Sequence, residues 1–321
     1  MTEKLTGGCQ YDAGLLWSPT HICTFDCVYC ISKTGAYEYK KEKIRGVLDK
    51  AWIALNMGIP SLLRHLVIYK KAGRIMPIKI GRLIRALDAT RNTFRINFAG
   101  GEPFLVPNFV EACAEITKRH FISINTNFVT GKVDEFSEKV DPKRVIVIIA
   151  SLHIKELERR DLLSEYIKNF LKLQECGFPL LSKGVAYPAI LGEVEKYKDF
   201  FKKKGIKIVF DPFVGSYNGQ WYPEAYTDKE IDIFGLEPSC KSRTDSKRKI
   251  CNAGYNIAVV FSDGSIYPCY QLKRYATGNI YKKIKFNDKL MACPFDVCKC
   301  SVDACDHYLY NKAMSGRKSD S

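Results

Sequence analysis

Leu15-Leu16-Trp17-Ser18-Pro19, and then, three residues on, Cys23-Thr24-Phe25-Asp26-Cys27-Val28-Tyr29-Cys30: an apolar run stops at a proline and three cysteines follow within eight residues. The run reads as a first strand and the cysteines as the loop leaving it. Three thiolates can hold three irons of a cubane cluster of four irons and four sulfides, leaving the fourth iron without a protein ligand. An open iron on a reducible cluster is a place to bind and reduce a small molecule. The alternative is a zinc loop, which takes a fourth close Cys or His. His21 could supply that ligand.

Working outward, Phe94–Phe98, Phe121–Asn125, Val145–Ile149, Leu180–Tyr187 and Ile206–Phe210 read as strands two to six. Helices are expected from about Asn108, over Glu156–Glu175 up to Cys176-Gly177, and over Val194–Lys204. Val145–Ile149 is continuously apolar, as strands are when both faces of a parallel sheet are covered. The alternation predicts a parallel α/β sheet with right-handed crossovers, whose functional residues gather at the carboxyl ends of the strands. Cys23–Cys30 and Gly100-Gly101-Glu102-Pro103 both fall at such ends. Between Lys40 and Thr90, apolar residues recur at helical spacing (Ile44, Leu48, Ala51, Trp52, Leu55), divided by Pro60 and Pro77. This reads as a helical insertion after the first strand, residues 31–93.

The cysteine spacing, with Tyr29 before the last cysteine, resembles the first motif of the radical S-adenosylmethionine (radical SAM) superfamily. Gly100-Gly101-Glu102-Pro103 resembles its second. In such a turn two glycines allow close approach of backbone to a ligand, and a carboxylate can accept hydrogen bonds from an ammonium group. The resemblance covers about residues 15–212 and implies a partial (β/α)6 TIM-like barrel. It implies a 4Fe–4S cluster on Cys23, Cys27 and Cys30, its open iron chelated by the amino and carboxylate groups of S-adenosylmethionine. It also implies cofactor contacts from Tyr29, Gly100, Gly101, Glu102, Thr126, Asn127 and Ser151. Thr126-Asn127 resembles the family's Thr-Asn-Gly, with Phe128 in place of the glycine. His153 and Tyr187, near strand ends, are the candidate catalytic residues; Lys183 and Asp211, similarly placed, read as structural.

Seven further cysteines follow: Cys240, Cys251, Cys269, Cys293, Cys298, Cys300 and Cys305. Cys251, Gly264 and Cys269 resemble the opening half of a SPASM or twitch auxiliary-cluster domain, with Asp263-Gly264 as a hairpin turn. The later cysteines depart from the full SPASM spacing. The expectation is one auxiliary 4Fe–4S cluster on Cys251, Cys269, Cys298 and Cys300, with Cys293 and Cys305 as alternates; a structural zinc site is the rival. The expected domains are an N-terminal extension (1–14), the barrel (15–222), a small Cys-rich C-terminal domain (223–313) and a tail (314–321).

The 321 residues are 46% hydrophobic and 26% charged, a soluble globular composition. Met1–Gln10 has no signal-peptide core and no long apolar run occurs, which points to a cytoplasmic protein. Thirteen cysteines in a reducing compartment indicate ligation rather than disulfides. The net charge is +15, and residues 31–93 carry fourteen Lys or Arg against four Asp or Glu. That face suits an anionic substrate or an acidic membrane surface, or is merely solvated. Nucleic acid is not expected, because no RNA-binding signature accompanies the charge.

By resemblance, one electron from a donor such as flavodoxin or ferredoxin enters the cluster. S-adenosylmethionine is then cleaved, and a 5′-deoxyadenosyl radical takes a hydrogen atom from a small, anionic, sugar- or nucleotide-like substrate. The auxiliary cluster accepts an electron or binds substrate. One alternative is a maturase of ribosomal peptides, against which stand the roughly fourteen residues before the first strand. Another is a non-enzymatic iron–sulfur or RNA-binding module, in which Gly100-Gly101-Glu102 has no purpose.

Overall fold

The computed structural model describes residues 10–30, 75–241, 250–272, 276–293 and 306–315. Residues 1–9 and 316–321 lie outside the described residues, as do 31–74, which hold most of the expected basic insertion. Cys298, Cys300 and Cys305 are outside them too.

Six strands stand side by side in chain order, each parallel to the next: β1 (Ala13–Trp17), β2 (Phe94–Phe98), β3 (Phe121–Thr126), β4 (Val145–Ser151), β5 (Leu180–Ala186) and β6 (Ile208–Pro212). Helices α1 (Ile80–Asp88), α2 (Phe109–Thr117), α3 (Val133–Lys139), α4 (Ile154–Arg159), α5 (Leu163–Glu175) and α6 (Val194–Lys202) occupy the crossovers. This is the parallel α/β sheet that the alternation predicts, and it is consistent with the partial barrel that the resemblance implies. Leu15, Trp17, Ile96, Phe98, Ile124 and Ala150 enter one core with Leu83, Phe109, Phe136, Tyr166 and Phe201 of the helices. Side chains alternate along a strand, so Asn97, Asn125, Ser151 and Lys183 lie on the face turned away from the helices.

The helix expected over Glu156–Glu175 is two helices. Asp161, at φ +55°, makes the break; a short polar residue tolerates the left-handed region better than most. The turn brings α5 back to the sheet, where the Tyr166 hydroxyl donates to the Ala150 carbonyl at 2.9 Å.

After β6 comes a separate hairpin of β7 (Gly215–Tyr217) and β8 (Gln220–Tyr222), and then α7 (Asp228–Phe234), opened by a capping box of Thr227 and Glu230. Beyond it, β9 (Ile250–Cys251) precedes β10 (Ile257–Val260), β11 (Ser265–Tyr267) and β12 (Gly278–Asn279). The expected Asp263-Gly264 turn joins β10 to β11, with Gly264 at φ +81°. These strands extend the barrel sheet: β10 pairs in parallel with β1, and β11 and β12 continue it antiparallel, giving nine strands. The apolar alternation of β10 explains this. Ala258 and Val260 join the helix-side core, and Ile257 and Val259 pack on the opposite face.

The last described strand, β13 (Met291–Ala292), pairs with β9, and α8 (His307–Ser315) closes the described chain. Leu309 of α8 is buried with Leu16, Ile146 and Val259 on the face of the sheet opposite α1 to α6. Gly14 makes room for it: a Cβ there would sit 2.8 Å from Leu309 Cδ1. Asp306 anchors the helix, accepting from Tyr11 Oη at 2.9 Å, Arg95 Nη1 at 3.0 Å and the Leu309 amide at 3.0 Å. No helix of the described residues is long and apolar enough to cross a membrane.

Candidate active site

The cysteine loop and the Gly-Gly turn are held against each other by backbone. Gly101 N donates to Thr20 O and Glu102 N to Ile22 O, each at 2.9 Å, immediately before Cys23. The glycines are required by this approach to the chain's own backbone. A Cβ on Gly101 would fall 2.1 Å from Ile22 O, and one on Gly100, at φ +106°, would fall 2.7 Å from Thr20 O. The first and second motifs are therefore one structural unit.

Glu102 extends the unit to β3. Its carboxylate is buried and accepts from Phe104 N (3.0 Å), Thr126 Oγ1 (2.8 Å) and Asn127 N (2.7 Å). Burial raises its pKa, and these donors oppose that rise. Asn127 closes the circuit: its amide nitrogen donates to Thr24 Oγ1 at 2.7 Å and lies 3.9 Å from Cys23 Sγ. Phe128 adopts φ +66°, the left-handed conformation that glycine takes most readily. Its ring is fully buried among Tyr166 and Phe170, and its carbonyl accepts from Asn169 at 2.9 Å. The conformation a glycine would adopt is thus kept, and packing of the ring offsets a backbone cost of about 1–2 kcal/mol.

From the other side the loop rests on the end of β4 and on α4. His153 lies between two loop aromatics, edge-on to Phe25 (centroids 5.8 Å apart) and stacked on Tyr29 (5.9 Å). Its Nδ1 is 3.4 Å from the Tyr29 hydroxyl. Burial pushes the imidazole down to about 4, so the ring is neutral near pH 7. Glu156 accepts from the Asp26 amide at 3.4 Å and is paired with Arg159 and Arg160 at 2.8 and 3.1 Å; the Arg160 guanidinium stands 5.5 Å from the Phe25 centroid. Tyr187 packs on Tyr29 with centroids 5.3 Å apart. Thr24, Glu156 and Arg160 were not singled out in the sequence. The Glu156–Arg159–Arg160 spacing was visible as helical ion pairing, but its contact with the cysteine loop is tertiary.

Ser151, at the end of β4, stands opposite Lys183 of β5. Lys183 is paired with Asp211 of β6 at 3.0 Å. Nearby on β3, Asn125 Oδ1 is shielded from water and has no hydrogen-bond partner. A buried acceptor with an unmet hydrogen bond is costly unless a ligand donor fills it.

The donor set fits a cluster with one open iron. Burial raises the Cys23 thiol and pushes Cys27 up to about 12, and a cation such as iron would favour the thiolate form that a cluster needs. Among the described residues no three His, Cys, Asp or Glu side chains gather around a single ion position. A cubane places each thiolate on its own iron and needs no such point.

The auxiliary cysteines lie elsewhere. Cys269 is buried and Cys251 half-buried in the apolar cluster that holds Leu16, Val259 and Leu309. Met291 pairs with Cys251 across the β9–β13 ladder, and Cys293 follows that strand directly.

The radical SAM superfamily model matches residues 17–203, more than half of the chain, and the chain belongs to that superfamily. It is accordingly an enzyme family member for which a 4Fe–4S cluster and S-adenosylmethionine are implied. A search of curated proteins finds no match. Among solved structures, anSMEcpe with bound AdoMet and Cp18Cys peptide is 18% identical, with a TM-score of 0.53 over 84% of this chain and 77% of that one. SuiB of Streptococcus suis bound to its precursor peptide SuiA is 15% identical, with a TM-score of 0.51 over 89% of this chain and 67% of that one. At these identities the likeness is one of fold.

Proposed function

We propose that the chain reductively cleaves S-adenosylmethionine at a cluster held by Cys23, Cys27 and Cys30 and removes a hydrogen atom from a substrate lying near the carboxyl ends of the strands, on the face opposite α1 to α6. The single observation carrying this reading is the joining of the cysteine loop to the Gly100–Glu102 turn by two backbone hydrogen bonds. Bound together, the cluster and S-adenosylmethionine supply one-electron cleavage of the cofactor and hydrogen-atom abstraction. The residues of the chain hold and orient. Glu102 fixes the ends of β2 and β3 beside the loop, leaving the Gly100–Glu102 backbone and the Asn125 carbonyl oxygen as acceptors for the cofactor's amino group. Tyr29 and Tyr187 offer an aromatic wall, and Ser151 and Lys183 offer a hydroxyl and a cation.

The Lys183–Asp211 pair offers polar groups of both signs, in keeping with a small polar molecule such as a sugar or nucleotide. A peptide substrate is the second reading, supported by the peptides bound to anSMEcpe and SuiB in structures of like fold. A second cluster on Cys251, Cys269 and Cys293, with a fourth ligand from Cys298, Cys300 or Cys305, would accept an electron or bind substrate. A structural zinc on these cysteines remains its rival, and iron, sulfide and zinc content of the purified chain separates the two.

The test is 5′-deoxyadenosine formation from S-adenosylmethionine under dithionite. The wild-type chain should form it. A chain with Cys23, Cys27 and Cys30 replaced by Ala should not, and equal product from both would refute the assignment.

A further inference from the structure

We infer that the outer face of α6 and the turn after it form a docking surface for an anionic lipid membrane, with Phe200 as its apolar tip and Lys196, Lys202, Lys203, Lys204 and Lys207 around it. The surface is independent of the reaction and needs no cofactor.

Helical periodicity sorts these residues. α6 buries Val194, Tyr197 and Phe201, while Lys196, Phe200 and Lys203 fall on its other side at the same spacing and are exposed. Phe201 is fully buried, yet its neighbour Phe200 keeps 37% of its surface exposed. The helix thus gives one ring to the core and leaves a second in water. Lys204 Nζ stands 5.1 Å from the Phe200 centroid, and Gly205, at φ +75°, turns the chain before Lys207. Residues 194–207 carry six Lys against Glu195 and Asp199. Of the six, Lys198 is turned to Glu195 and the Ile233 carbonyl, whereas Lys202, Lys203, Lys204 and Lys207 are exposed. A helix C-terminus favours cations within its last turn. That preference accounts neither for the exposed ring nor for Lys207 beyond the turn.

The chemistry selects the partner. Every cation in 194–207 is a lysine. A compact ammonium on a flexible stem suits a diffuse anionic surface, whereas the planar fork of arginine is the better reader of single phosphates in nucleic acid. A ring set among such stems can enter the headgroup region while the ammonium groups stay in water. Docking here leaves the candidate active site open. α6 leads into the amino end of β6, and the cysteine loop leaves the carboxyl end of β1, in a run of parallel strands. The patch therefore lies toward the end of the sheet remote from Cys23–Cys30.

The experiment is co-sedimentation of the full chain, at physiological salt, with vesicles of phosphatidylcholine and phosphatidylserine, beside vesicles of phosphatidylcholine alone. The wild-type chain should sediment with the first and stay in solution with the second. Lys202→Glu/Lys203→Glu/Lys204→Glu should weaken the partition about a hundredfold, at roughly fivefold for each lysine lost from the surface. Phe200→Ser, which leaves the charge unchanged, should weaken it about tenfold through the lost apolar contact. Lys282→Glu/Lys283→Glu/Lys285→Glu makes the same change in net charge on exposed lysines beside β12, at the opposite edge of the sheet from β6. It should sediment nearly as wild type does, because charges far from the contact are screened. Urea midpoints should match throughout, and where the α6 triple variant is destabilised Phe200→Ser decides the question. A wild-type chain that ignores both vesicles would overturn the surface. So would equal loss in the two triple variants, which would reduce the contact to net charge, or wild-type sedimentation of Phe200→Ser. A chain that leaves the vesicles in solution but shifts a duplex DNA oligomer, and no longer does so in the α6 triple variant, would make the face a nucleic-acid surface instead.

Discussion

Glu102 and Gly101 show how much of the site is internal bracing. The Glu102 carboxylate spends three of its acceptor positions on Phe104, Thr126 and Asn127. Glu102→Ala should therefore destabilise the chain even with no cofactor present, by about 1–3 kcal/mol for buried donors left unpaired. Urea unfolding of the apoprotein checks this; an unchanged midpoint would confine Glu102 to cofactor binding. Gly101→Ala forces a Cβ to within 2.1 Å of a carbonyl oxygen that belongs to the backbone and cannot swing away. It should cost about 1–3 kcal/mol or more, as overpacking does, and lower the iron held per chain. Gly131→Ala, where a Cβ meets nothing within 4 Å, is the matched control and should lie within about 0.5 kcal/mol of wild type. The two glycines were readable in the sequence as a close approach. What they approach was not, because the partner, Thr20–Ile22, is some eighty residues away in the chain.

At the scale of elements, β1 to β6, α2 and α6 were legible because each carries its own apolar period and stop signals, whereas the short α3 was not, and α4 and α5 read as one helix. Val145–Ile149 and the Asp263-Gly264 turn are the clearest cases. The place of β10 beside β1 was not legible, since strand order depends on which edge is free. Nor was α8, whose only local mark is a polar helix start at Asp306. Its anchoring is tertiary: Arg95 and Asp306 are both largely buried, with side-chain exposures of 14% and 4%. Asp306→Ala leaves Arg95 without its counter-charge and should cost about 3–5 kcal/mol. Hydrogen exchange should then speed up across 307–315 before it does in β2 or β3. Exchange that stays slow in α8 would show that Leu309 packing alone holds the helix.

For the whole molecule, buried neutral histidines make stability depend on pH. His120 is pushed down to about 4, chiefly by burial, with its Nδ1 accepting from the Phe94 amide. An unfolded histidine binds its proton near pH 6.5, so between about 6.5 and 4 the unfolded chain holds more protons than the folded one. Stability is fully present above that window and falls as pH drops through it, by up to about 1.4 kcal/mol per pH unit for this group. His120→Asn should flatten the decline in the urea midpoint between pH 6.5 and 4.5. A slope identical to wild type would remove His120 from the account. The central claim is that Cys23–Cys30 and Gly100–Glu102 build one site where S-adenosylmethionine meets an open iron. The most direct measurement is electron–nuclear double resonance on the reduced chain with S-adenosylmethionine labelled with 15N at its amino group. The account predicts a strong nitrogen coupling to the cluster in wild type, and none when Cys23, Cys27 and Cys30 are replaced by Ala. A reduced wild-type cluster whose spectrum is untouched by the labelled cofactor would contradict it.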